Sequence, residues 1–146
     1  MEIYIEYFKE LELDSQVILE KLTPLFKVCS EFCPEPVESI FVSEYQQIDG
    51  RRVIESLILF SNSFIMEIKQ PFSEDFKWDI ASIKNKVRWL QVSSQNFNLS
   101  VADAKSRMYV TTTLSDEVNC ELKASGKNCN HLWQIVNEHF RPNLVI

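Results

Sequence analysis

The chain has 146 residues, of which 45% are apolar, 25% charged and 12% aromatic. That length fits one domain, and that apolar share supplies a core and excludes intrinsic disorder. The net charge is −6 and there are only two glycines, Gly50 and Gly126, which excludes the glycine-rich loops of dinucleotide and P-loop cofactor sites.

The N-terminal part is acidic. Residues 1–38 hold nine acids against three bases, which accounts for the whole net charge and leaves the rest of the chain neutral. Nucleic-acid binding is not expected from this balance, because that affinity comes from neutralising phosphates. Strong attraction to anionic membranes is not expected either. "MEIYIEYFKELEL" has acids where a secretion signal needs bases, and no run reaches the length of a membrane span. A cytosolic location with reduced cysteines follows as the expectation. Residues 1–13 fit two patterns: Ile3, Ile5 and Tyr7 alternate, while Tyr4, Phe8 and Leu11 repeat at helical spacing. Residues 14–33 read as helix, with Ile18, Leu22, Leu25, Phe26, Cys29 and Cys33 on one face. Asp14 or Ser15 can cap it, and Thr23-Pro24 suggests a second start inside it. Pro34 and Pro36 end it.

From residue 37 the period becomes two. "SIFVSEYQQI" and "VIESLILF" flank Asp49-Gly50, a hairpin signal in which both turn residues are expected at positive φ. "FIMEIK" places Phe64, Met66 and Ile68 on one face and Ile65, Glu67 and Lys69 on the other. "FKWDIASI", "VRWLQVS", "RMYVTTTL" and "VNCELKA" add four strands, with an irregular piece over residues 94–106 that carries Phe97, Leu99 and Val101. In the last strand Val118, Cys120, Leu122 and Ala124 point one way. Seven strands with short connections imply antiparallel neighbours in a barrel or sandwich. A helix closes the chain: Asn128 or Asn130 can cap it, and Leu132, Trp133, Val136, His139 and Phe140 form its apolar side. Pro142 is expected to stop it.

Seven antiparallel strands followed by an amphipathic helix with a tryptophan, Trp133 in "HLWQIVNEHF", resemble the pleckstrin-homology (PH) superfold. The resemblance implies a mainly β fold: a seven-stranded antiparallel barrel or orthogonal sandwich over residues 37–146. Leu132, Trp133, Val136 and Phe140 would plug one corner, and residues 1–36 would form an acidic helical extension. Many PH domains hold phosphoinositides through alternating basic residues near the first hairpin. Here only Arg51 and Arg52 stand there, adjacent, with Lys69 and Lys77 nearby. The lipid motif is absent as written, so weak or no phosphoinositide or membrane binding is expected. The other basic cluster, Lys84, Lys86 and Arg88, reads as a solvated turn.

No enzyme signature emerges. Cys29, Cys33, Cys120, Cys129, His131 and His139 could be assembled into a zinc set, but the thiols fit apolar faces. The two histidines are eight residues apart, about 12 Å along a helix. Neither a metal nor a cofactor is expected. Cys129 and His131 lack an oxyanion hole or an orienting acid, and no G-x-S-x-G elbow exists. Trp78, Trp89 and Trp133 lack the basic groove that base-stacking platforms need. The expectation is a non-enzymatic protein-interaction or scaffolding module. It would take a protein or peptide partner at the fifth-strand edge or in the groove flanking residues 130–140. The alternatives are a phosphoinositide reader using Arg51, Arg52, Lys69 and Lys77, and a small-ligand carrier with a cavity lined by Phe64, Met66, Trp78 and Trp89.

Overall fold

The computed structural model describes residues 4–13, 16, 18–97, 102–115 and 117–145. Asp14, Ser15, Leu99, Val101 and Asp116 lie outside the described residues, and so does the side chain of Ile18. Seven strands are present among the described residues: β1 (Ser39–Gln46), β2 (Arg52–Phe60), β3 (Phe64–Lys69), β4 (Lys77–Ser82), β5 (Val87–Gln95), β6 (Arg107–Leu114) and β7 (Asn119–Ser125). They form two antiparallel sheets in the orders β1-β2-β3-β4 and β5-β6-β7. The fold is mainly β, and the two sheets are stacked rather than closed into one hydrogen-bonded barrel.

The β1–β2 register shifts between Ser43 and Glu44, where Glu55 is the extra, bulged residue of β2. At the corner between the sheets, β1 meets β7 through side chains: Ser43 Oγ accepts from Lys123 N at 2.9 Å, and Glu44 Oε1 accepts from Ser125 N at 2.7 Å. Side chains therefore satisfy the β7 N–H groups that a barrel ladder would have used.

The first turn also differs from expectation. Only Gly50 has positive φ, at 86°. Gln47 N donates to Arg51 O and Gly50 N to Gln47 O. This is a three-residue loop with glycine in the left-handed position, not a two-residue turn needing positive φ at both.

In the four-stranded sheet, β1, β2 and β3 carry buried residues on both faces, whereas β4 is largely exposed. The inward face carries Phe41, Ile58, Phe60 and Ile65 toward the second sheet. The outer face carries Val42, Leu57, Leu59, Met66 and Ile68, and these are buried too. The N-terminal helices cover it: α1 (Ile5–Glu10) contributes Tyr7 and Phe8 to the common core, and α2 (Thr23–Phe32) contributes Cys29. Phe32 packs on Trp78 of β4 with ring centroids 5.2 Å apart. Residues 4–11 therefore adopt the helical of their two readings. A π-helical turn, Ile18–Leu22, leads into α2. Pro24 has no N–H for the fourth carbonyl back, which favours this wider winding just before it. The winding changes at Thr23, but the chain does not leave the helical region there.

The closing helix repeats that pattern. It runs as α3 (Asn128–Ile135), widens to a π-helical turn over Val136–Phe140, and tightens over Arg141–Asn143. Pro142 thus alters the winding rather than ending the helix. Asn128 is the first helical residue and not the cap. Leu132, Ile135, Val136 and Phe140 are buried, whereas Trp133 is only half-buried and packs at the margin of the core. The plug is anchored by Phe140, which meets Phe60 edge-on, and by His139, stacked on Phe60 at 4.6 Å.

Candidate functional site

Two polar assemblies stand out, one closed and one open. The closed one joins α1, β1, β2, β7 and α3. Glu44 is fully buried, and its carboxylate accepts from Ser125 N, from Ser125 Oγ at 2.5 Å and from Asn128 Nδ2 at 3.0 Å. Arg52 Nη1 lies 3.1 Å away as its counter-ion, without hydrogen-bond alignment. Asn128 Nδ2 also donates to Val42 O, while its Oδ1 accepts from Tyr7 Oη, which itself accepts from Val42 N. Burial pushes the Tyr7 hydroxyl far above its usual range, so it stays a neutral donor. The hydrogen bonds of this network run between its own members, Arg52 Nη1 is paired by charge alone, and the network holds layers together.

The open assembly is a groove of about 580 Å³ between the first sheet and β7, lined by β2 from Val53 to Ser56, by Glu67, Lys69 and Gln70, and by Asn119 and Glu121. A second hollow of about 320 Å³ shares Glu67, Lys69 and Asn119 with it and extends to Asp79, Ile80 and Cys120. The local sequence explains the lining. Glu55 is the bulged residue of β2, outside the paired register with β1. The inward face of β3 is Ile65, Glu67 and Lys69, so an acid is placed between the sheets. Four carboxylates, of Glu55, Glu67, Asp79 and Glu121, line the combined groove against one lysine.

Burial also acts on the groups in this groove. Burial raises the Glu67 carboxyl above its usual range; a hydrogen bond with Ser56 and the charge of Lys69 oppose the shift, and Asp79 and Glu55 add to it. Cys120 is pushed up to about 12 by burial, then by the charges of Glu67 and Asp79. Lys69 Nζ is 3.8 Å from Asp79. Lys123 Nζ bonds Glu55 at 3.0 Å and sits 5.5 and 5.6 Å from the ring centres of Tyr45 and Tyr109, so it is already engaged.

The four basic residues singled out in the sequence do not converge. Arg51 is exposed and pairs with Asp49 of its own turn at 3.3 Å. Arg52 points into the interior toward Glu44. Lys69 and Lys77 do face each other across β3 and β4, at the rim of the acidic groove. The lining proposed for a small-ligand cavity is also dispersed. Met66 lies on the helix-covered face, Phe64 is half-buried, and Trp78 and Trp89 are exposed on different sheets. That reading took the alternate face of β3 as the inside of the sandwich. Both faces are in fact covered.

The groove flanking residues 130–140 is walled by the N-terminal region and keeps a hollow of about 200 Å³. Tyr4 and Tyr7 of the N-terminal region line it, Tyr7 meets the His131 ring at 4.3 Å, and His131 Nε2 lies 2.6 Å from Glu10 Oε2. His139 instead bonds Ser39 Oγ at 2.8 Å, and burial lowers its pKa below the usual 6.5, with Glu138 and Glu38 opposing. All four cysteines are free thiols, and only Cys33 is more than slightly exposed. Among the described residues no three His, Cys, Asp or Glu side chains are grouped to hold a metal ion. No described helix is long and apolar enough to cross a membrane.

Glu44 and Glu67 are the functional-looking residues that sequence patterning did not single out. Each is the lone acid of its strand, "SIFVSEYQ" and "FIMEIK". That isolation was the available signal. Compared with known protein families, curated proteins and solved structures, the chain matches none.

Proposed function

We propose that the chain is a non-enzymatic protein-interaction module of PH-like architecture, and that its inter-sheet groove takes a basic segment of a protein partner. The order of four strands, three strands and a closing helix supports the PH-like reading. The observation that carries the binding mode is the charge of the groove, with Glu55, Glu67, Asp79 and Glu121 set against Lys69. A phosphate-bearing headgroup would meet the same sign there, whereas a lysine or arginine side chain would find carboxylates above apolar walls of Val53 and Ile54.

Fluorescence anisotropy with a labelled Lys/Arg-containing peptide and its Glu/Asp counterpart, at physiological salt, tests the reading. The basic peptide binds and the acidic one does not. Glu121→Lys, at an exposed position of the groove wall, weakens binding by about tenfold, equivalent to about 1.4 kcal/mol. Glu31→Lys makes the same charge change on exposed α2 and leaves affinity within about twofold, as expected for a screened distant charge. Equal losses from both variants would reduce the effect to net charge. Specific pelleting with phosphoinositide vesicles that is lost on Arg51→Glu would replace this reading with lipid recognition.

A further inference from the structure

The edge of β5 is managed differently from the other strand edges among the described residues. On β1, Tyr7 takes the Val42 N–H and Asn128 takes its carbonyl. On β7, Ser43 and Glu44 take the N–H groups of Lys123 and Ser125. β4 carries Lys77 and Asp79, charges of the kind that discourage an added strand. β5 has only Arg88 at its start. The stretch "WLQVSSQ", residues 89–95, contains neither charge nor proline.

Leu144 and Val145 cover the start of this edge. Leu144 bridges Val87 in parallel, and Val145 N donates to Val87 O at 2.8 Å. Beyond that point Val92 is telling. It pairs with fully buried Val110 on the inward face of the sheet, yet it is 37% exposed. β6 flanks it on one side, and no described strand flanks it on the other.

We propose that the free length of β5 pairs with β5 of a second copy, antiparallel about a two-fold axis at Val92. The register follows from the molecule. Val92 is the midpoint of Trp89–Gln95, so Trp89 falls opposite Gln95 of the partner subunit and Leu90 opposite Ser94 of the partner subunit. Opposed residues in an antiparallel pair share a face. Trp89, Gln91, Ser93 and Gln95 stay on one face and Leu90, Val92 and Ser94 on the other, so no side chain has to change sides. Each Val92 covers the other, and no like charges are brought together. The tail is undisturbed as well: Asn96, at φ 53°, turns each chain off the strand before it reaches the partner's tail-covered end. The interface is isologous and closes on itself, as two-fold assemblies do. It lies apart from the acidic groove, whose walls come from β2, β3, β4 and β7.

Sedimentation velocity on the full chain, from micromolar to submillimolar concentration, tests this. The expected result is a reversible monomer–dimer equilibrium. Val92→Lys puts two ammonium groups at the axis and gives a monomer across the range, with circular dichroism and urea midpoint unchanged because the position is partly exposed. Trp78→Lys alters the other exposed apolar surface and leaves the dimer intact. Amide hydrogen exchange on the unsubstituted chain needs no variant: protection over residues 89–95 rises with concentration. A chain that stays monomeric throughout overturns the proposal. So does a Val92→Lys variant that still dimerises, or concentration-independent exchange along β5.

Discussion

Glu44 shows how one residue can set the corner of a fold. It has zero exposure, a half-buried arginine as counter-ion, and hydrogen bonds into β7 and α3. Removing one partner of such a pair leaves the other without compensation. Glu44→Ala should therefore lower stability by about 3–5 kcal/mol in urea denaturation. Tyr7→Phe deletes only the hydroxyl that links Val42 N to Asn128 and should cost about 1–3 kcal/mol, the penalty for a buried unsatisfied group. The aromatic anchors of the closing helix should rank by burial rather than by size: Phe140→Ala costs about 3–5 kcal/mol, and Trp133→Ala, at a half-buried position, costs less. His139 supplies a pH signature. Its folded pKa lies below the usual 6.5, so the unfolded chain binds more protons in the window between the two values. Stability then falls as pH drops from about 6.5 toward the folded pKa, and this slope vanishes in His139→Gln. Glu67 has the opposite sign. Its folded pKa is raised above 4.5, so its contribution is present at low pH and lost as pH climbs through the raised value. Comparing wild type with Glu67→Gln across that window measures it.

At the scale of elements, the strands were legible because each writes its own period. β6 alternates buried and half-buried residues without a break, and β7 does so over most of its length. Val118, expected inside, stands just before β7 and is exposed. The first sheet was harder to read. β1 and β2 carry continuous buried runs because helices cover one face and the second sheet covers the other. Local alternation cannot report a layer contributed by residues far away in the chain. For the same reason the sequence left open whether the N-terminal extension packs on the strands; Phe8 and Leu11 are buried in the common core. Phe8→Ala should cost about 3–5 kcal/mol and lower a single cooperative transition rather than melt α1 alone. The groove was invisible for a related reason: Glu55, Glu67 and Glu121 are far apart in sequence, and the β2 bulge and the stacking of sheets bring them together. The fit of Pro24 and Pro142 to wider helical turns was equally hidden. Proline marks where an α-helix is disturbed, and tertiary packing decides whether the chain leaves the helix or rewinds within it.

As a whole molecule, the chain is a three-layer arrangement in which side chains close the β1–β7 corner and leave the opposite mouth acidic. Its net charge of −6 comes from the N-terminal residues, of which Glu6, Glu10, Glu20 and Glu31 lie exposed on helices, where solvent screens them. The groove acids sit between two sheets, where burial raises the Glu67 pKa. A basic partner segment should therefore recognise the groove rather than the acidic helices. Titrating a Lys/Arg-containing peptide into isotopically labelled chain and following backbone amide shifts by NMR would locate the contact. Saturable shifts should cluster at Glu55, Ser56, Glu67, Gln70, Asn119 and Glu121, with residues 4–32 little changed. Shifts spread over α1 and α2, or no saturable shifts at all, would contradict a groove built to hold a basic segment.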